Sequence, residues 1–218
     1  SIPRDLWVNI PGYGYQRINV ADCLGERRQG KGGGPRLVAA TLLQNLNIPV
    51  QAYVRVNFGG VERIVDAVGG VTVNVDRYYN EPMDGSGKGW WFRLSPGLQH
   101  LDGRTAVAYA RSRKGVSDLD RARRQQEVLM AIREAALRPQ TLAQLPALVT
   151  ALADTVETDI SIPKAVSLIY LATQLDRSAL RTRVFDGTMV RNWTTPGGAM
   201  VLLPNRARIE QVWAELTR

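Results

Sequence analysis

The side chains best suited to chemistry concentrate in one run, AYARSRKGVSDLDRARRQQ, residues 108–126. Arg111 and Arg113 stand two apart, and in an extended segment that spacing turns both guanidinium groups to one side. Ser117 or Asp118 is placed to cap the helix that follows, leaving its first N–H groups pointing outward. From Asp118 to Arg121 is i,i+3 and from Arg121 to Gln125 is i,i+4, so on a helix the three share a face. Two guanidinium forks would then converge with an Arg–Gln face at the positive end of a helix dipole. Such an arrangement suits a diphosphate, whose several oxygens carry spread charge and accept paired hydrogen bonds from arginine. Asp118 would cap the helix, steer an arginine, or assist an incoming hydroxyl. The same spacing also describes an Asp–Arg capped surface helix, and spacing alone leaves the two readings level.

The charge distribution singles out the same run. The 218-residue chain carries a formal net charge of +8, and residues 104–138 hold nine basic side chains against four acidic ones. A cluster of this kind attracts phosphate, nucleic acid or acidic lipid, although a solvated helix face is the commoner origin. Of the 28 basic residues 24 are arginine. Other chemistries are excluded by count. A single histidine, His100, rules out a multi-histidine metal site and a two-histidine mechanism. A single cysteine, Cys23, rules out an intramolecular disulfide and reads as a small apolar filler. The glycine-rich tract at 30–34 is no phosphate-binding Walker loop, because Lys31 is followed by Gly32. It reads as a flexible entry to a helix beginning near Pro35. No apolar run approaches the roughly 18 residues of a membrane span. Nucleic acid is disfavoured as a partner: no recognised module occurs, and the aromatics are not interleaved with the basic stripe.

The elements that must position this run alternate between helix and strand. With 44% hydrophobic and 22% charged residues, the chain has the composition of one that buries a core. Alternation predicts strands at 50–58 and 71–75, with a helix at 61–68 between them. Trp90, Trp91 and Phe92 read as an edge strand or hairpin return after a polar excursion at 80–89. A short helix is expected at 101–110 and a long one after it, with Val128, Leu129, Ile132 and Ala136 facing inward. Helices at 141–156 and 162–175 follow, the second apolar nearly all round and capped by Ser161. Strands near 180–185 and 200–203 and a helix at 206–216 complete the pattern. One α/β domain over residues 1–218, three layers with helices either side of a central mixed sheet, is the simplest architecture. The apolar helix at 162–175 is expected as core between layers, with a role lining a lipid cavity as the alternative.

Three blocks in fixed order, SIPRDLWVNIPGYGYQRIN, NFGGVERIVDAVGGVTVNV and LSPGLQHLDGRTAVAYARSRKGVSDLDRARRQQEVL, resemble the LytR–CpsA–Psr family from residue 1 to about 135. Looser similarity continues through VETDISIPKAVSL and MVLLPNRARIEQV. The resemblance implies a membrane-anchored enzyme on the extracytoplasmic face of the bacterial cell envelope. Such an enzyme takes a glycopolymer from a polyprenyl diphosphate carrier and transfers it, with its proximal phosphate, to a peptidoglycan hydroxyl. The fold it implies has an apolar cavity for the polyprenyl tail and an arginine-lined mouth. By position, diphosphate binding falls on Arg4, Arg111, Arg113, Arg121 and Gln125, and catalysis on Asp118 and Arg121. Asp118 matches the residue suspected of activating the acceptor hydroxyl. Magnesium is implied as cofactor, with its likely ligands upstream of SIPRD, where an upstream strand and the membrane anchor are also expected. Hydrolysis of the same diphosphate in the same pocket remains an alternative, and a basic nucleic-acid-binding protein a more distant one.

Overall fold

The computed structural model describes residues 1–83, 90–112, 118–175 and 181–217, the side chains of Asp118, Leu119 and Leu145 excepted. In chain order these residues form β1 (Trp7–Ile10), β2 (Gly14–Arg17), α1 (Asn19–Gln29), α2 (Gly33–Leu46), β3 (Val54–Val56) and α3 (Phe58–Ala67). Then come β4 (Val71–Val75), β5 (Tyr79–Pro82), β6 (Trp91–Leu94), β7 (Gly97–Leu101), α4 (Gly103–Arg111) and α5 (Asp118–Ala136). The last are α6 (Pro139–Ala143), α7 (Leu145–Ala151), β8 (Val156–Thr158), α8 (Ile162–Thr173), β9 (Val190–Thr194), β10 (Met200–Pro204) and α9 (Arg206–Leu216). The α/β class read from the sequence holds. The chain packs as two compact units, residues 1–55, 158–160 and 176–218 in one and residues 56–157 and 161–175 in the other. Each has its own apolar core.

In the first unit, β1 and β2 pair antiparallel, as do β9 and β10, and a parallel bridge from Leu6 to Leu202 joins the two hairpins. Parallel and antiparallel neighbours therefore coexist. Helix α2 is fastened to the β1 edge by the Asn45 amide, which accepts from Asn9 N–H at 3.0 Å and donates to Asn9 C=O at 2.8 Å. The glycine-rich tract has a packing role. A Cβ on Gly25 would lie 2.3 Å from the Gly33 carbonyl oxygen, so α1 and α2 cross at backbone contact and the helix starts at Gly33. Glu26 accepts from the N–H groups of Gly32 and Gly34 and pairs with Arg55 at 3.1 Å. Cys23 is exposed on α1, contrary to the filler role expected of it.

In the second unit, β4 pairs antiparallel with β7, and β5 with β6, making Trp91–Leu94 the return strand of a hairpin. Val71, Val73 and Val75 are buried while Thr72 and Asn74 face out, as alternation requires. His100 stands opposite Thr72, whose hydroxyl lies 3.2 Å from its Nδ1. Leu101 ends β7 rather than starting a helix, because Asp102 caps α4 by accepting from Thr105 N–H at 2.8 Å. Gly103 lets α4 reach α3: a Cβ there would lie 2.2 Å from the Glu62 carbonyl oxygen.

Several local expectations are corrected. On α5 the buried stripe is Val128, Ala131 and Ala135, with Ile132 and Ala136 partly buried against the same core. Leu129 is 64% exposed, since one residue beyond Val128 turns about 100° around the helix. The strand expected at 50–58 is regular only at Val54–Val56. The helix expected at 141–156 is broken into α6 and α7, and Val156 opens β8. Residues 181–185 carry no strand; Leu180 lies outside the described residues. Helix α8 is not core, for none of its residues is buried, and Ser161 at its start makes no side-chain capping bond. Among the described residues no helix is long and apolar enough to cross a membrane.

Candidate functional site

Arg111 is the last residue of α4, and Arg121 and Gln125 lie on the first two turns of α5, which packs along α4. The structure therefore brings these three sequence-predicted residues onto two adjacent helices. Arg111 and Gln125 are exposed and Arg121 is half-buried, as a site open to a ligand requires. Arg113 lies outside the described residues. Asp118 is the first residue of α5, and its side chain is likewise outside them. Arg4 belongs to the other unit, where it is exposed with its Nε 3.4 Å from the Asp5 carboxylate.

Three contributors escape a reading by motif alone. The first is Phe58, at the start of α3 behind the Asn57 cap. It is 55% exposed, and the Arg111 guanidinium carbon stands 4.4 Å from its ring centroid. The second is Arg124, whose side chain is fully buried. It donates from Nη1 to the Tyr79 hydroxyl at 3.0 Å and from Nη2 to the Ser112 carbonyl. The signal was present: Arg124 precedes Val128 by four residues, which places it on the buried stripe of α5. The third is Ser112 itself, also buried, whose hydroxyl donates to Glu81 on β5.

Around this hub runs a network of ion pairs and hydrogen bonds. Arg123 pairs with Glu127 at 2.9 Å and with Asp76 at 3.2 Å, and Asp76 accepts from the Tyr79 hydroxyl at 2.7 Å. Burial works against the Asp76 carboxylate, but the Tyr79 hydrogen bond together with Arg77 and Arg123 outweighs it and lowers the pKa. Burial and then the hydrogen bond to Glu127 push the Tyr109 phenol up, so it remains a neutral donor. The Tyr79 phenol is raised too, by burial first and by Asp76 second, against the opposing pull of Arg124 and Arg77. Nearby, Trp90 carries the Arg104 guanidinium 4.3 Å from its ring centroid, while Phe92 is fully buried and Trp91 exposed.

The exposed Arg111 guanidinium at the end of α4 and the half-buried Arg121 on α5 give these adjacent helices a cationic character. Arg121 lies in the first turn of α5, and the Phe58 ring orients the Arg111 guanidinium at the end of α4. Among the described residues no group of three or more His, Cys, Asp or Glu side chains gathers that could hold a metal ion.

The chain is 32% identical to the polyisoprenyl-teichoic acid–peptidoglycan teichoic acid transferase TagT of Bacillus subtilis, over 99% of its own length and 63% of that protein's. It is 35% identical to the corresponding transferase TagU of Oceanobacillus iheyensis, over 78% of this chain and 50% of that one. The chain thus spans between half and two thirds of these relatives. Among solved structures, Bacillus subtilis TagV superimposes with a TM-score of 0.80 at 27% identity, over 100% of this chain and 80% of that one. TagT bound to LI-WTA gives 0.71 at 28% identity, over 100% and 76%. With the LytR_cpsA_psr family model matching residues 1–218 throughout, the chain belongs to the LytR–CpsA–Psr family.

Proposed function

We propose that the protein transfers a cell-wall glycopolymer, with its proximal phosphate, from a polyprenyl diphosphate carrier to a peptidoglycan hydroxyl. The observation that carries this reading is the placement of Arg111, Arg121 and Gln125 on two adjacent helices, in a chain that aligns over 99% of its length with a teichoic acid transferase. The acceptor oxygen attacks the phosphorus that bears the glycan. The bond from that phosphorus to the bridging oxygen breaks, and polyprenyl phosphate departs with the electron pair. The hydroxyl proton passes to a base, for which Asp118 is the residue of choice. Phosphoryl transfer of this kind asks the protein chiefly to position the groups and to stabilise spread negative charge. Arg111, Arg113 and Arg121 would meet that charge, with Gln125 as an uncharged donor.

The exposed apolar helix α8 supports a lipid-bearing substrate. Ile162, Leu168, Tyr170 and Leu171 are 43–68% exposed on it, an arrangement that suits a polyprenyl chain and gains little in water. The place of action that follows is the extracytoplasmic face of the cell membrane, where lipid carrier and peptidoglycan meet. By resemblance magnesium would add positive charge at the diphosphate, held by groups other than those described.

The test supplies the protein with a polyprenyl-diphosphate-linked glycan and peptidoglycan fragments. The expected product is glycan joined to the fragment through one phosphate, with polyprenyl phosphate released. Release of glycan phosphate without attachment would turn the assignment to hydrolysis by the same pocket. If neither product formed and the lipid did not bind, the proposal would fall.

A further inference from the structure

We propose that Arg124 is a positioning residue that sets the separation of the diphosphate-binding arms from beneath, an inference that rests on the reading above. Its guanidinium is fully buried, and its hydrogen bonds go to a phenol and a carbonyl rather than to a carboxylate. Its remaining donor, Nε, is buried with no hydrogen-bond partner among the described residues. The rings of Tyr79 and Tyr109 face the guanidinium carbon, with centroids 5.6 and 5.8 Å away. A buried cation held in this way is an expensive means of filling space, and an apolar side chain of equal volume would pack more cheaply. What the guanidinium supplies is geometry.

Ser112 lies between Arg111 and Arg113 in the chain, and it is held at three points. Its N–H donates to the Ala108 carbonyl at 2.9 Å, its hydroxyl to Glu81, and its carbonyl accepts from Arg124. Arg124 in turn lies one turn beyond Arg121 and directly before Gln125 on α5. One planar fork therefore links the backbone that carries the first arm to the helix that carries the second. Tyr79 and Glu81 add β5 as a third anchor. A ligand with two linked phosphates needs both arms at a set distance, whereas a ligand with one phosphate does not.

The discriminating experiment measures affinity for two probes, polyprenyl diphosphate and polyprenyl monophosphate, in the unaltered protein and in Arg124→Met, Arg124→Lys and Tyr79→Phe. Arg124→Met is expected to lose at least tenfold in diphosphate affinity and less than threefold in monophosphate affinity. Arg124→Lys keeps the charge and loses the fork, so it should restore less than half of the loss on a logarithmic scale. Tyr79→Phe removes one acceptor of the fork, leaves the ring, and should weaken diphosphate binding by about threefold, a loss corresponding to about 0.7 kcal/mol. That variant carries the test if Arg124→Met does not fold. Equal weakening of both probes, or full rescue by lysine, would overturn the inference. Failure of the unaltered protein to bind the diphosphate would instead strike the functional reading on which it rests.

Discussion

The guanidinium of Arg111 stands over the exposed ring of Phe58, 4.4 Å from its centroid, and so a residue at the start of α3 orients the last residue of α4. A ring exposed to this degree adds little to the core. Its worth lies in holding an arginine that would otherwise sample many rotamers.

Phe58→Ala is expected to leave thermal stability nearly unchanged and to weaken polyprenyl-diphosphate binding by about two- to fivefold. Exposed cation–π contacts are worth about 0.5–1 kcal/mol, which sets that scale. Lipid titration beside a thermal melt checks it. Unchanged affinity would mean that the ring plays no part in orienting Arg111.

Arg111→Ala removes the charged fork itself. A hydrogen bond to a charged group contributes about 1.5–3 kcal/mol, so the expected loss is about ten- to a hundredfold in diphosphate affinity. Folding should be unaffected because the side chain is exposed. Circular dichroism and the same titration separate the two.

On α8 the opposite pattern is expected. Since none of its residues is buried, the double change Tyr170→Ser and Leu171→Ser should alter stability by no more than about 0.5 kcal/mol. Binding of a long-chain polyprenyl phosphate should weaken relative to a short-chain analogue. A large loss of stability with equal binding of both lengths would return α8 to a purely structural role.

Gly103→Ala tests the α3–α4 contact. The added methyl would lie 2.2 Å from the Glu62 carbonyl oxygen, so the helices must part, at a cost of about 1–3 kcal/mol. Denaturant unfolding measures this, and a stability equal to that of the parent would show that the contact yields freely.

Acid sensitivity follows from Asp102 and Asp76. Capping of Thr105, first by its side chain and then by its N–H, lowers the Asp102 pKa, and Asp76 is lowered by Tyr79, Arg77 and Arg123 against the effect of burial. A carboxylate with a depressed folded pKa contributes stability that is fully present above its unfolded value of about 3.9 and is lost as the pH falls below it. Asp102→Asn keeps a capping oxygen but cannot titrate. Its stability at neutral pH should match the parent closely, while its acid unfolding curve should be shallower. A curve of unchanged slope would remove Asp102 from the account.

Local pattern alone established much of this protein. The alternation of Val71, Val73 and Val75 and the helix at 206–216 follow from periodicity, which acts within a few residues. The arginine-rich run was equally legible, because charge density and i,i+3 and i,i+4 spacing need no partner to be counted. Tertiary structure decided what each of those arginines does. Arg121, Arg123 and Arg124 look alike in sequence, yet one is half-buried, one is exposed in ion pairs and one is sealed among two tyrosines and a carbonyl. Only packing against β5 and α4 separates them, since burial is a property of the neighbours. The same holds for α8, whose apolar sequence reads as core and whose side chains nevertheless stay exposed. Hydrophobicity states what a helix prefers to touch; the fold determines what is there to touch it.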